Sequence, residues 1–284
     1  MVIGTLEQSF ILGIMVIGVY LSYKILDFPD MTVDGSFPLG GAVTATLLVK
    51  GVNPIVALIV AVLLGAVSGM ITGLIHVRLK VINLLAGIIV MTGLYSVNLR
   101  IMGKSNIPLF TTANLFHGTV SPLMVGLIFL IVVKIMVDFL LKTKFGFALK
   151  ALGDNETLVT SLGLDEKRWK IYGLMISNGL VALSGGLLAQ YQGFADVGMG
   201  TGTIITGLAS IIIGEAVAGK SKLLAGTWMV IIGTILYKGI ISVALWIGMN
   251  ASDLKLITSI LVILVIYMKI KKESLRRKGG VIHA

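Results

Sequence analysis

Apolar residues in this chain come in long unbroken runs, without the alternation of half-buried strands or the three-to-four spacing of a surface helix. Unpaired backbone groups are intolerable in hydrocarbon. A run of about 17–25 such residues is therefore read as a helix crossing a core about 30 Å thick. Seven runs meet that length, near 7–26, 54–77, 82–102, 122–141, 171–192, 223–248 and 254–270. Two more, near 36–50 and 203–218, are shorter, rich in glycine and flanked by Asp or Gly, so they read as broken or re-entrant segments. The pattern predicts an all-α, polytopic integral membrane protein of about nine membrane segments.

Basic residues orient this ladder, because Lys and Arg are retained on the cytoplasmic side. With the C-terminus inside and the N-terminus outside, the outer face keeps only Lys50, Arg100, Lys104 and Lys255 of the 23 Lys and Arg residues. Lys134 and Lys238 lie within spans, and all the others fall on the inner face. The first run has no basic flank before it and no small-residue cleavage site after it, so it is read as a permanent helix rather than a signal peptide.

Composition agrees with a bilayer as solvent: 56% of residues are hydrophobic, 13% are charged, and mean hydropathy is +1.02. The formal charge of +10 is explained by topology, which leaves no reason to expect a nucleic-acid partner. There is no cysteine, and the three histidines, His76, His117 and His283, are scattered singly. No catalytic constellation, metal set or cofactor site is expected on this chain.

An internal echo links the two short segments. Phe28-Pro29-Asp30 precedes the first and Phe194-Ala195-Asp196 the second, and Gly41 and Gly207 stand at the same offset. Five spans separate them, so they should face opposite sides, as an inverted repeat requires. The chain then divides into a first half (1–102), a connecting segment (103–141), a cytoplasmic loop (142–170) and a second half with a basic tail (171–284), all within one membrane domain.

The loop 142–170 is the most polar stretch. Its middle predicts a short helix capped by Asp154 or Asn155, with Glu156 in the first turn, Gly163 at the end, and Leu158, Val159 and Leu162 along one apolar edge. Such a helix suits either a cleft on a partner protein or the lipid headgroups. The segment Ala151 to Leu164 resembles the coupling-helix region of ABC importer permeases of the branched-chain amino acid and ribose type. The likeness continues through Gly179–Gly186 and Gly207–Gly219, and Asp27–Gly41 is similar to the family's segment between early membrane helices. The subgroup it resembles most is that of tryptophan/tyrosine permeases. Glu215 departs from the family pattern, which more often has a small residue there.

The resemblance implies a permease dimer in the cytoplasmic (inner) membrane of a prokaryote, an extracytoplasmic binding protein or lipoprotein, and a separate cytoplasmic ATPase that binds the ATP and magnesium. It makes Gly153, Asp154, Asn155, Glu156, Ser161, Leu162 and Gly163 the expected ATPase-docking surface. The substrate it implies is an aromatic amino acid, with branched-chain amino acids, nucleosides and sugars still open.

Two motifs mislead. Gly214 to Ser221 spells a P-loop, and Leu183-Ser-Gly-Gly186 resembles an ABC ATPase signature. No soluble α/β core accompanies them and their order is reversed, so Lys220 and Lys222 are read as topology anchors and Leu183–Gly186 as tight helix packing. Charges near or within spans are the remaining candidates. Asp30, Asp34 and Asp196 flank the short segments and could meet a substrate ammonium or hold broken helices. Lys238 must face protein or water, with Glu215 as its expected partner. Lys134 and Asp138 are expected to pair along one helix. The alternative to an ATP-driven permease is an ion-coupled secondary transporter, which would use the same acids without an ATPase.

Overall fold

The computed structural model describes residues 2–250, apart from His117, Thr119, Leu162, Leu164 and 219–225, together with seven positions between 253 and 267. Its order is α1 (Val2–Tyr20), which runs into a π-helical turn at Leu21–Ile25, then α2 (Val33–Val49), α3 (Pro54–Leu79), α4 (Asn83–Met102) and β1 (Asn106–Pro108). α5 (Pro122–Lys142), α6 (Lys144–Asp154), α7 (Glu156–Ser161) and α8 (Glu166–Gln192) follow. β2 (Phe194–Asp196), a 3₁₀ turn at Val197–Gly200, α9 (Thr203–Ala218) and α10 (Thr227–Trp246) complete it. Among the described residues, seven helical segments are long and apolar enough to cross a membrane, and α2 is a shorter apolar helix. Of the ninth expected segment, 254–270, only scattered positions are described, and the basic tail beyond it lies outside the described residues.

Boundaries follow local chemistry. Asn53 and Ser121 accept from the backbone N–H groups of Ile55 and Met124, and each precedes a proline whose missing N–H costs nothing at a helix start. Gly103 and Gly193 end α4 and α8 at φ 66° and 78°.

Glycine sets the packing, because lipid gives apolar side chains no reason to prefer each other and close backbone approach must supply the contact. Gly65, Gly69 and Gly73 form a stripe on α3 that lies against α8; a Cβ on Gly69 would sit 2.1 Å from the Leu174 carbonyl oxygen. α2 and α8 are locked reciprocally, Gly40 against Ala182 and Gly185 against Phe37. Gly233 and Gly214 do the same for α9 and α10. Leu183–Gly186 and Gly214 are thus helix-packing residues, as expected; Lys220, Ser221 and Lys222 lie outside the described residues.

The central pair, α1 and α8, is antiparallel: Ser177 Oγ donates to Gly18 O and Ser184 Oγ to Ile11 O, with α1 falling as α8 rises. α2 and α3 pack on α8 where α9 and α10 pack on α1. A Cβ on Gly41 would meet Met199 of the 3₁₀ turn at 2.8 Å and Gly185 O of α8 at 3.6 Å, and one on Gly207 would meet Val19 of α1 at 3.0 Å. Asp30 accepts from Thr32 N at 2.9 Å and Asp196 from Gly198 N at 2.7 Å, the same turn two residues on, at opposite ends of the bundle. This is the arrangement an inverted repeat requires. One end holds Lys24, Arg78, Lys80, Lys142, Lys144, Lys150, Lys167, Arg168 and Lys170, together with α6 and α7. The other holds the β1–β2 pair, Lys50, Arg100 and Lys104.

Candidate functional site

Each short helix begins inside the bundle. Thr32 meets Thr72 at 2.7 Å, seven residues before α3 ends, which places the start of α2 about 10 Å from the basic end at 1.5 Å per residue. α9 opens just after the 3₁₀ turn, and the two starts meet at Asp34. Asp34 Oδ1 accepts from Thr203 Oγ1 and Ile204 N, both at 2.8 Å, and Oδ2 accepts from Gly202 N at 2.9 Å. A single carboxylate in the first turn of α2 therefore caps the N-terminus of α9, satisfying donors that hydrocarbon would leave stranded. Pro38 has no N–H to offer the Asp34 carbonyl, and Gly200 comes up against that oxygen so closely that a Cβ would lie 2.1 Å away.

Two chambers open beside Asp34. The first, about 390 Å³, lies between α2, α4 and the 3₁₀ turn and is lined by Asp34, Met91, Thr92, Tyr95, Ser96, Asn98 and Thr201, among others. The second, about 580 Å³, lies between α1, α2, α9 and α10, where Lys238, Tyr237, Phe37, Met15, Met31 and Met199 join Asp34 in the wall.

The five charges singled out from the sequence do not converge. Asp34 and Lys238 share the second chamber. Asp30 is fully buried in a polar network, accepting from Asn178 Nδ2 at 2.6 Å, while Ser36 Oγ donates to Asn178 Oδ1 and meets Ser68 Oγ. That network ties α2, α3 and α8 together. Asp196 sits at the end away from the basic face and receives Asn106 Nδ2 at 3.5 Å across the β1–β2 pair.

The expected Glu215–Lys238 pair is absent. Glu215 binds Lys24 at 2.6 Å, because the final turns of α1 and α9 run side by side at the basic end. Lys238 Nζ donates to Gln8 Oε1 at 3.2 Å, higher in the bundle. A double-mutant cycle on detergent-solubilised protein should show coupling on the order of 1 kcal/mol between Lys24→Met and Glu215→Gln. Additive losses there, or coupling between Lys238→Met and Glu215→Gln, would overturn the pairing. The Lys134–Asp138 pair is present at 2.5 Å, and Thr227 Oγ1 donates to Asp138 at 2.6 Å, so the pair also fastens α10 to α5.

At the basic end, the expected short helix is α7, with Asn155 just before it and Gly163 beyond it at φ 76°. Asp154, Asn155, Glu156, Ser161 and Gly163 are exposed; Val159 is buried, and Leu162 lies outside the described residues. Glu156 is ion-paired with Lys170 of α8. Gly153 is a packing residue instead of a surface one, since a Cβ there would be 2.1 Å from the Ile25 carbonyl oxygen. The preceding helix α6, not anticipated, is capped by Thr143 and lies on the bundle through Ala148, Leu149 and Leu152.

Helix α4 matches the expected run 82–102, but its polar face was not anticipated. Thr92, Tyr95 and Ser96 are exposed on it, and Asn98 is fully buried. Asn98 Nδ2 donates to Gly35 O at 3.2 Å, which fixes the amide orientation because a carbonyl can only accept, and Oδ1 has no partner. A buried acceptor left this way costs about 1–3 kcal/mol. The signal was available: polar residues at 92, 95, 96 and 98 fall at helical spacing within an apolar run, marking a face suited to protein or water over lipid.

A bundle of membrane-crossing helices with two interior helix starts at a shared carboxylate, and a largely apolar chamber on either side of it, is the architecture of a membrane transport subunit. The family described as the branched-chain amino acid transport system, permease component, matches residues 1–267, and the chain belongs to it. It is thus a permease component of an ABC-type transport system. The chain is 50% identical over 262 residues to a tyrosine transport system permease protein of Clostridioides difficile (strain R20291), covering 92% of this chain and 89% of that one. It is 29% identical over 203 residues to a probable branched-chain amino acid transport permease of Methanocaldococcus jannaschii, covering 65% and 64%. The solved structure of PsaBC from Streptococcus pneumoniae in complex with Fab shares the fold, with a TM-score of 0.55, 94% coverage of both chains and 16% identity.

Proposed function

We propose that this chain is the membrane-spanning subunit of a binding-protein-dependent importer that moves an aromatic amino acid, tyrosine foremost, inward by ATP-driven alternating access. The observation that carries the reading is the meeting of two interior helix starts at Asp34, between chambers lined by polar and aromatic side chains. The 50% identity to a tyrosine permease supports the substrate class. In this reading the basic end faces the cytoplasm, following the retention of Lys and Arg there. The β1–β2 end meets the binding protein, and two copies of the chain assemble in the inner membrane of a prokaryote. ATP and magnesium are held by a separate ATPase. That subunit docks on the exposed elbow Asp154, Asn155, Glu156, Ser161 and Gly163, with Leu162 beside it. Asp34 and Lys238 serve the pathway; Asp30, Asp196 and Glu215 serve as helix and interface fasteners.

The test is a mild-detergent pull-down of the tagged chain from its native membrane, with an ATPase assay and tyrosine uptake in vesicles. A stoichiometric ABC ATPase is expected. No described atom lies within 4 Å of an added Cβ at Gly163, and the strain of a side chain at its φ of 76° stays in an exposed turn outside the bundle, so Gly163→Arg should leave the chain in the membrane while removing the ATPase and abolishing uptake. Recovery of the chain without any ATPase, with uptake following an ion gradient, would establish an ion-coupled transporter instead.

A further inference from the structure

The polar face of α4 and the orphaned acceptor of Asn98 are not explained by helix packing. Asn98 is 0% exposed, its amide nitrogen is committed to Gly35 O, and its oxygen has no partner among the described residues. It lines the same 390 Å³ chamber as Asp34, whose Oδ2 takes one hydrogen bond and keeps room for another. Tyr95, 57% exposed, stands in that wall, with Thr92 and Ser96 on the same helix. The volume is in the range of small-molecule sites. Its polar groups of known direction are acceptors, the half-buried Asp34 carboxylate and the buried Asn98 amide oxygen, and the exposed Tyr95 ring beside them has a face that attracts cations. A group with three donors and one positive charge satisfies all of them, and an anion satisfies none.

Resting on the importer reading above, we infer that the chamber between α2, α4 and the 3₁₀ turn is a substrate subsite that recognises a protonated primary amine through Asn98 Oδ1, Asp34 and Tyr95. The apolar part of the wall, Met91, Pro38 and Val197, takes the body of the ligand. The subsite reads the ammonium group, and the substrate's carboxylate lies outside it.

The absence of native cysteine allows a direct test. Ser96→Cys places a thiol in the chamber wall, and its alkylation is followed in native membrane vesicles carrying the whole transport complex. Tyrosine and tyramine, which has the amine without the carboxylate, should each slow alkylation, about tenfold at a concentration ten times the dissociation constant. 3-(4-Hydroxyphenyl)propionate, which has the carboxylate without the amine, should not slow it. Asn98→Leu in the same background should remove the protection while the chain remains monodisperse in detergent; the comparison of the three ligands stands without that variant. Equal protection by the acid, or protection by none of them, overturns the subsite. Tyrosine uptake by wild-type vesicles is measured in parallel and separates the two claims. Uptake without amine protection sinks the subsite and leaves the importer. Amine protection without tyrosine uptake supports the subsite and sinks the tyrosine reading.

Discussion

Gly40→Val should yield no folded permease, whereas Gly239→Ala should melt as the wild type does. At Gly40 an added Cβ falls 1.9 Å from the Ala182 carbonyl oxygen and within 2.7 Å of two further backbone atoms. On the other helix, Gly185 presents the same distance to Phe37 O. Ordinary overpacking costs about 1–3 kcal/mol because side chains move aside. Here the obstacle is backbone, so α2 and α8 have to part along their length. Parting them breaks the Ser36–Asn178 hydrogen bond and the Asp30–Asn178 hydrogen bond beneath it, and those donors have no water to turn to. The loss therefore exceeds the upper end of that range. Size-exclusion chromatography and a detergent melt of both variants check it, and a monodisperse Gly40→Val protein with near-native melting would show that the α2–α8 contact is looser than described. Gly239 has nothing within 4 Å of an added Cβ, so it controls for the presence of a methyl group on a membrane helix.

Much of this fold was legible because the bilayer imposes one length scale. The runs read at 54–77, 82–102 and 122–141 appear as Pro54–Leu79, Asn83–Met102 and Pro122–Lys142, and the short runs at 36–50 and 203–218 as Val33–Val49 and Thr203–Ala218. The Asp30 and Asp196 echo was equally legible, since a turn in which an Asp side chain accepts from the N–H two residues on is a local matter. Partner choice was not. Glu215 and Lys238 are compatible in charge, yet which cation reaches Glu215 depends on the lateral order of helices, and α9 lies along the last turns of α1, where Lys24 emerges. Helix α6 was hidden for another reason: its residues are too polar to read as a span, and what holds it is contact with the bundle and with Ile25, which no periodicity in residues 144–154 reveals. Asn98 carries no charge to mark it, although a neutral amide buried in an apolar run raises the same question about its partners.

Asp34 explains why both short helices can begin inside the bundle at all, and it carries the second large effect. Asp34→Ala should abolish uptake and destabilise the protein, with Asp34→Asn intermediate and Thr203→Val mild. The order follows from the donors left behind. Alanine strands Gly202 N and Ile204 N at the start of α9; at about 1–3 kcal/mol for each buried group without a partner, those two put the loss at about 2–6 kcal/mol. Asparagine can keep its oxygen on Thr203 and Ile204, but its amide NH₂ then faces Gly202 N, a donor against a donor. Valine at position 203 removes one hydroxyl whose other contact, Gly200 O, is itself local. The carboxylate also sits at the positive end of α9 and in the first turn of α2, so its charge is favoured by both helix ends and neutral replacements lose that as well. Thermal melts in detergent and tyrosine uptake in vesicles give the ranking. If Asp34→Ala melted like the wild type but failed to transport, Asp34 would be a substrate contact with no role in holding α9. If it transported normally, neither role would stand.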